Sequence, residues 1–114
     1  MHITSLDTAA STVPVMEGAA GITKQIPISR ADGTPAYSFR VFSIEPGGHT
    51  PLHRHPFEHL NYVVEGVGAV VTDEGPKALK RGDFVLVQPG ETHQYRNTAD
   101  KPFVVICAVP KEYE

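Results

Sequence analysis

Four of the six histidines in this 114-residue chain fall in one short segment, HTPLHRHPFEH, at positions 49, 53, 55 and 59. Imidazole is neither a favoured core group nor a favoured solubiliser, so such clustering asks for a chemical reason. On an extended segment, side chains at i and i+2 leave the backbone on the same side. His53 and His55 can therefore converge on one metal ion, at bond lengths of about 2.0–2.2 Å. His59 follows the short turn PFE and can be presented from the next strand, with Glu58 as the neighbouring alternative donor. His93, in PGETHQYRN, opens another strand directly after a turn and supplies a fourth candidate.

Four neutral imidazoles would leave both charges of a divalent ion uncompensated, disfavouring a trivalent state and favouring an anionic ligand in any open position. Tetrahedral zinc would be saturated by such a set and would be structural. Six-coordinate manganese, iron, cobalt or nickel would keep two positions for substrate, or for substrate beside dioxygen. Copper heads the affinity order for such ligands and stays among the candidates.

The elements that must position these groups read as strands. Ten glycines and ten prolines punctuate the chain, and no window of a dozen residues shows helical periodicity. Between the turn signals stand short apolar or alternating runs: GITKQIPIS, AYSFRVFSIE, LHRH, HLNYVVE, VGAVVT, KAL, FVLVQ, THQYRN and FVVICAV. Regular short strands with tight turns predict an all-β barrel or sandwich. The length suits one domain: residues 21–114 form the barrel, and residues 1–20 are a loose arm or a strand given to a neighbouring subunit. The tripeptide Arg81-Gly82-Asp83 reads as a plain hairpin turn, not an adhesion motif.

These residues carry a resemblance. Gly47, His53, His55 and Gly66 fall on the first cupin motif (Gly, five residues, His, one, His, three or four, Glu, six, Gly), with His59 where the motif has glutamate. Gly82, Gly90, His93 and Asn97 fall on the second, with Gln88 at its usual proline and Pro89 one place later. The chain thus resembles a cupin over roughly residues 38 to 110, and within that superfamily the small bacterial members whose HxHPxEH stretch gives a four-histidine site. The resemblance implies a double-stranded β-helix, or jelly roll, holding one divalent ion per chain on His53, His55, His59 and His93. Manganese is the first choice, ahead of iron, copper, nickel, cobalt or zinc. It further implies an oxygen-using, dioxygenase-like oxidoreductase acting on a small organic molecule. The alternatives are a metal-dependent isomerase or decarboxylase of a small carboxylate or sugar derivative, and a non-enzymatic metal- or ligand-binding module.

Around the ion, Tyr95 shares a strand face with His93 and reads as an acid, a donor or a wall. Arg40 reads as a clamp for an anionic substrate or a solvated arginine, and Asn61 shares the face of His59. Cys107, within VVICAV, reads as a small core group or an oxidation target in the pocket. His49 matches no ligand position. Thirteen acidic against ten basic residues give a net charge of −3, with no basic run, which argues against nucleic acid and anionic membranes as partners. The longest apolar run is strand-sized, and a single cysteine fits a reducing interior, so a cytoplasmic location is expected. Exposed strand edges and apolar outer faces predict a homodimer.

Overall fold

β-Branched and aromatic side chains suit a pleated, half-buried surface, and the runs that carry them become strands. The computed structural model describes residues 1–114. Its strands are β1 (Ser11–Thr12), β2 (Ala20–Ile28), β3 (Tyr37–His49), β4 (His59–Glu65), β5 (Val67–Thr72), β6 (Gly75–Lys80), β7 (Phe84–Val87), β8 (Gln94–Asn97) and β9 (Phe103–Pro110). The only helical pieces are 3-10 turns at Arg30–Asp32 and Lys111–Tyr113. No helix is long and apolar enough to cross a membrane.

The sheet runs β6-β5-β8-β3-β9-β4-β7 and curls on itself, with β2 also paired to β3 and every pairing antiparallel. β3 is the spine. Its first part lies between β2 and β9, and its last residue, His49, pairs with Arg96 of β8. The strand passes through Pro46-Gly47-Gly48, which the sequence reads as a turn. Gly47 takes φ +79°, and a Cβ on Gly48 would come within 2.8–2.9 Å of three carbonyl oxygens, so glycine alone lets the strand bend there.

Two expectations need correcting. LHRH is not a strand: residues 51–58 form a loop in which His53 alone makes a bridge, to His93. Arg81-Gly82-Asp83 is a turn, but it joins β6, paired to β5, with β7, paired to β4, so it crosses between sheet regions and closes no hairpin. Asp83 holds that turn by accepting from the Lys80 amide at 2.8 Å.

Alternation splits β3, β9, β4 and β7 into two faces. Inward point Phe42, Ile44, Val63, Phe103, Val105 and Val109, which form most of the core. Each such side chain contributes about 1.5–3 kcal/mol when fully buried. Outward run two register-aligned rows: Ile28, Phe39, Ala108, Leu60 and Leu86, and beside it Gln25, Val41, Ile106, Tyr62 and Phe84. Neither row carries a charge. Phe84 is 80% exposed, Leu86 55%, Leu60 45% and Phe39 43%.

The first residues lie along β2. Gln25 donates to the carbonyls of Leu6 and Ala9, His2 to that of Pro27, and β1 pairs with Lys24 and Gln25.

Candidate metal centre

The two histidine-bearing segments are fastened directly to each other. His53 and His93 exchange both backbone hydrogen bonds, at 3.2 and 2.9 Å, and the Gly90 amide donates to the His55 carbonyl at 2.8 Å. Thr50 and Tyr95 continue the seam, with the Thr50 amide on the Tyr95 carbonyl and the Tyr95 amide on the Thr50 hydroxyl. The imidazoles therefore ride on backbone that is locked together, although one segment is a loop.

Three of the rings gather at one point, and the fourth, His59, stands beside them. The candidate donor atoms of His53, His55 and His93 lie within 4.8 Å of one another. The His59 ring centroid is 4.4 Å from that of His55 and 5.0 Å from that of His93. Two of the rings have their tautomer set by the main chain. His55 Nδ1–H donates to the Phe57 carbonyl at 2.8 Å, and His93 Nδ1–H to the Glu91 carbonyl at 2.9 Å. In both rings Nε2 is left with its lone pair, buried and without a hydrogen-bond partner. Backbone support on one nitrogen and a free lone pair on the other is the pattern of a metal-ligating histidine.

Burial keeps the rings neutral, as ligands must be. His59 is lowered to about 2 and His53 to about 4, chiefly by desolvation and then by neighbouring positive charge. His55 and His93 are lowered too, again first by burial, and Arg40 adds to the effect in all four. The donor set, its orphaned atoms and its neutrality all fit a divalent transition metal.

His59 stands apart in one respect. Its Nε2 accepts a hydrogen bond from Arg40 Nη2 at 3.1 Å, while its Nδ1 is buried without a partner. Nε2 cannot serve Arg40 and a metal with the same lone pair. The alternative donor Glu58 is occupied elsewhere, accepting from the Tyr37 hydroxyl at 3.2 Å.

The cluster sits in a narrow cavity in which the centre of a water-sized sphere has about 70 Å³ to move. Met16, Phe42, Ile44, Phe57 and Val105 give it apolar walls, and no carboxylate lines it. Tyr95 is a buried part of that wall; its hydroxyl donates to Asn61 Oδ1 at 2.6 Å, and burial pushes the phenol well above its ordinary range. Arg40 is 8% exposed and donates to Cys107 Sγ at 3.0 Å as well as to His59. Its guanidinium stands 5.3 Å from the centre of the Phe42 ring. Asn97, by contrast, is structural: its side chain ties Ile44, Ala99 and Lys101 into the loop after β8. His49 rests on the Thr50 carbonyl, and its ring takes no part in the cluster.

One feature had no signal in the sequence. His55 stacks on Phe57 at 3.8 Å and 6°, and Phe57 stacks on Tyr113 at 4.0 Å and 9°. Tyr113 lies 58 positions from His55 along the chain, and neither spacing nor alternation could join them.

A jelly-roll barrel with imidazoles gathered from two segments defines a class, the β-barrel proteins that carry a histidine cluster able to hold an ion. Within that class the chain belongs to the cupin family: residues 40–109 match the family described as "Cupin domain". It is similar to gentisate 1,2 dioxygenase 1 of Aquipseudomonas alcaligenes, 39% identical over 54% of this chain and 18% of that protein. It is also similar to 1-methylthio-D-xylulose 5-phosphate methylsulfurylase of Rhodospirillum rubrum, 32% identical over 64% of this chain and 47% of that one. The chain thus spans less than half the length of these curated relatives. Among solved structures, the polyketide cyclase RemF of Streptomyces resistomycificus superposes with a TM-score of 0.92 and 25% identity, covering 97% of this chain and 80% of that one.

Proposed function

We propose that this chain is a mononuclear metal-dependent enzyme of the dioxygenase-like oxidoreductase kind, acting on a small organic molecule in the histidine-lined cavity. The observation that carries the reading is the set of buried imidazoles with free lone pairs and no carboxylate among them. His53, His55 and His93 would hold the ion, with His59 as the fourth donor once its Nε2 is released by Arg40. Manganese is the metal we favour, with iron next. Bound there, the ion would supply Lewis acidity and two further coordination positions.

This chain's own residues do the rest. The apolar walls exclude bulk water, which strengthens every electrostatic contact inside. Tyr95 holds Asn61 by its hydroxyl and so fixes an amide on the cavity wall. It is a donor and not a base, because its proton is held far above neutral pH. The local similarity to gentisate dioxygenases supports an oxygen-using reaction. The fold-wide similarity to a polyketide cyclase favours a second reading, metal-assisted cyclisation or isomerisation with no net oxidation.

Oxygen uptake by the manganese- and iron-loaded protein, measured across phenolic, enolizable and dicarboxylate compounds, separates the two. Turnover with stoichiometric oxygen consumption supports the first reading, and equal turnover under nitrogen supports the second. Zinc bound stoichiometrically, with no turnover of any compound, would leave a structural site.

The uncharged outer rows support a homodimer. Side chains of that size, exposed to that degree, supply roughly half of the about 800 Å² per partner in a standard interface. Sedimentation at micromolar concentration tests it, and a monomer would remove the proposal.

A further inference from the structure

Arg40 is the only lysine, arginine, aspartate or glutamate buried in the molecule. It is only 8% exposed, and the three ion pairs of the structure all lie elsewhere: His2 with Asp32, Arg30 with Glu114, and Lys80 with Asp83. No carboxylate lines the cavity that Arg40 faces. Its two hydrogen-bond partners, a thiol sulfur and an imidazole nitrogen, carry no formal negative charge in their neutral forms, and its Nε has no partner at all. Removing a cation from water without an anion costs several kcal/mol in real proteins, and buried arginines are accordingly paired. A divalent ion on the nearby imidazoles would raise the charge of the pocket from about +1 to about +3.

We infer that Arg40 is an anion subsite, and that the ligand of this cavity is a small carboxylate whose charge pairs with the guanidinium while its remaining polar groups face the histidines. This rests on the reading of the cavity as a substrate site and adds the substrate class. The position suits the role. Arg40 lies in an inward row with Cys107 and Asn61, and its guanidinium lines the same cavity as the histidines. Guanidinium is also the cation best matched to a carboxylate, through two parallel hydrogen bonds. Phe42 supports the charge from one side but cannot neutralise it.

The test uses the metal-free full chain, so that anion binding is read apart from metal binding. Acetate and benzoate are titrated against their uncharged isosteres acetamide and benzamide, followed by calorimetry and by the chemical shifts of the Arg40 guanidinium. Binding of at least one carboxylate, with its amide at least tenfold weaker, is the expected result. Arg40→Met should abolish that preference, and Arg40→Lys should retain part of it because the charge remains. Cobalt binding to R40M, read from its visible spectrum, should equal or exceed that of the parent, because a cation beside the ion has gone. Equal binding of carboxylate and amide, or a carboxylate preference that survives in folded R40M, would overturn the inference while leaving the metal centre standing. Carboxylate selectivity in a protein that binds no cobalt would keep the inference and remove the metalloenzyme reading instead.

Discussion

The inner and outer faces of the same four strands make an instructive contrast. Arg40, Cys107 and Asn61 form one inward row across β3, β9 and β4; one residue along, Val41, Ile106 and Tyr62 form an outward one. The inner face lines a cavity that holds polar atoms without partners: Arg40 Nε and His59 Nδ1 from the strands, and Nε2 of His55 and His93 from the segments beside them. The two outer rows are uncharged and carry no such atoms. Unsatisfied polar groups are costly inside and trivial outside, whereas exposed apolar groups are the reverse. The inner face therefore suits a small polar ligand, and the two outer rows suit contact with another apolar surface.

That contrast can be broken one face at a time. The largest effect should follow removal of a donor. His93→Ala should weaken manganese or cobalt binding by more than the roughly 100-fold that loss of a supporting partner brings, with folding retained by circular dichroism. On the other face, Leu86→Arg places a charge in the uncharged row. It should turn dimer into monomer in sedimentation, while metal binding per chain stays unchanged. An equal loss of metal binding in that variant would show that the two faces are not independent.

A smaller effect tests the aromatic stack that backs His55. Tyr113→Ala should lower metal affinity by roughly tenfold through a less restrained imidazole, and Tyr113→Phe should restore it, since stacking needs the ring and not the hydroxyl. Tyr95→Phe should cost about 1–2 kcal/mol in chemical denaturation, because Asn61 Oδ1 loses its donor inside the cavity.

The least effect at neutral pH is a slope. The unfolded chain takes protons on its histidines near pH 6.5, whereas His53 resists until about 4 in the fold. Between those values the unfolded state binds more protons. The stability of the metal-free protein should therefore fall as pH is lowered from about 6.5 towards 4, as read from urea midpoints. A midpoint that rises on acidification would contradict neutral, buried imidazoles.

Most of the strand boundaries were legible in the sequence, because punctuation by glycine and proline is local and the runs between are strand-length. The segment LHRH misled, since its i, i+2 histidines suggest a strand. Their convergence comes instead from a loop pinned to His93 by two backbone hydrogen bonds. The turn at Arg81-Gly82-Asp83 was legible as a turn, but its destination was not, because which strand β7 joins is a long-range matter.

For the site, types and spacing were enough to nominate His53, His55, His59 and His93, since few residue types bind metal and four imidazoles at those intervals are rare by chance. The sequence by itself also determined that no acidic residue stands at the motif's glutamate, with Glu58 left beside it as an alternative donor; the structure turns Glu58 to the Tyr37 hydroxyl. Only the tertiary structure decided that His59 shares its Nε2 with Arg40, that Tyr95 is committed to Asn61, and that Tyr113 braces His55 through Phe57. The long-range contacts among these join residues from 19 to 56 positions apart. Identity and spacing say what a side chain can do, but packing of distant strands sets which partner it meets, and that partner decides which lone pairs and charges are left for a ligand.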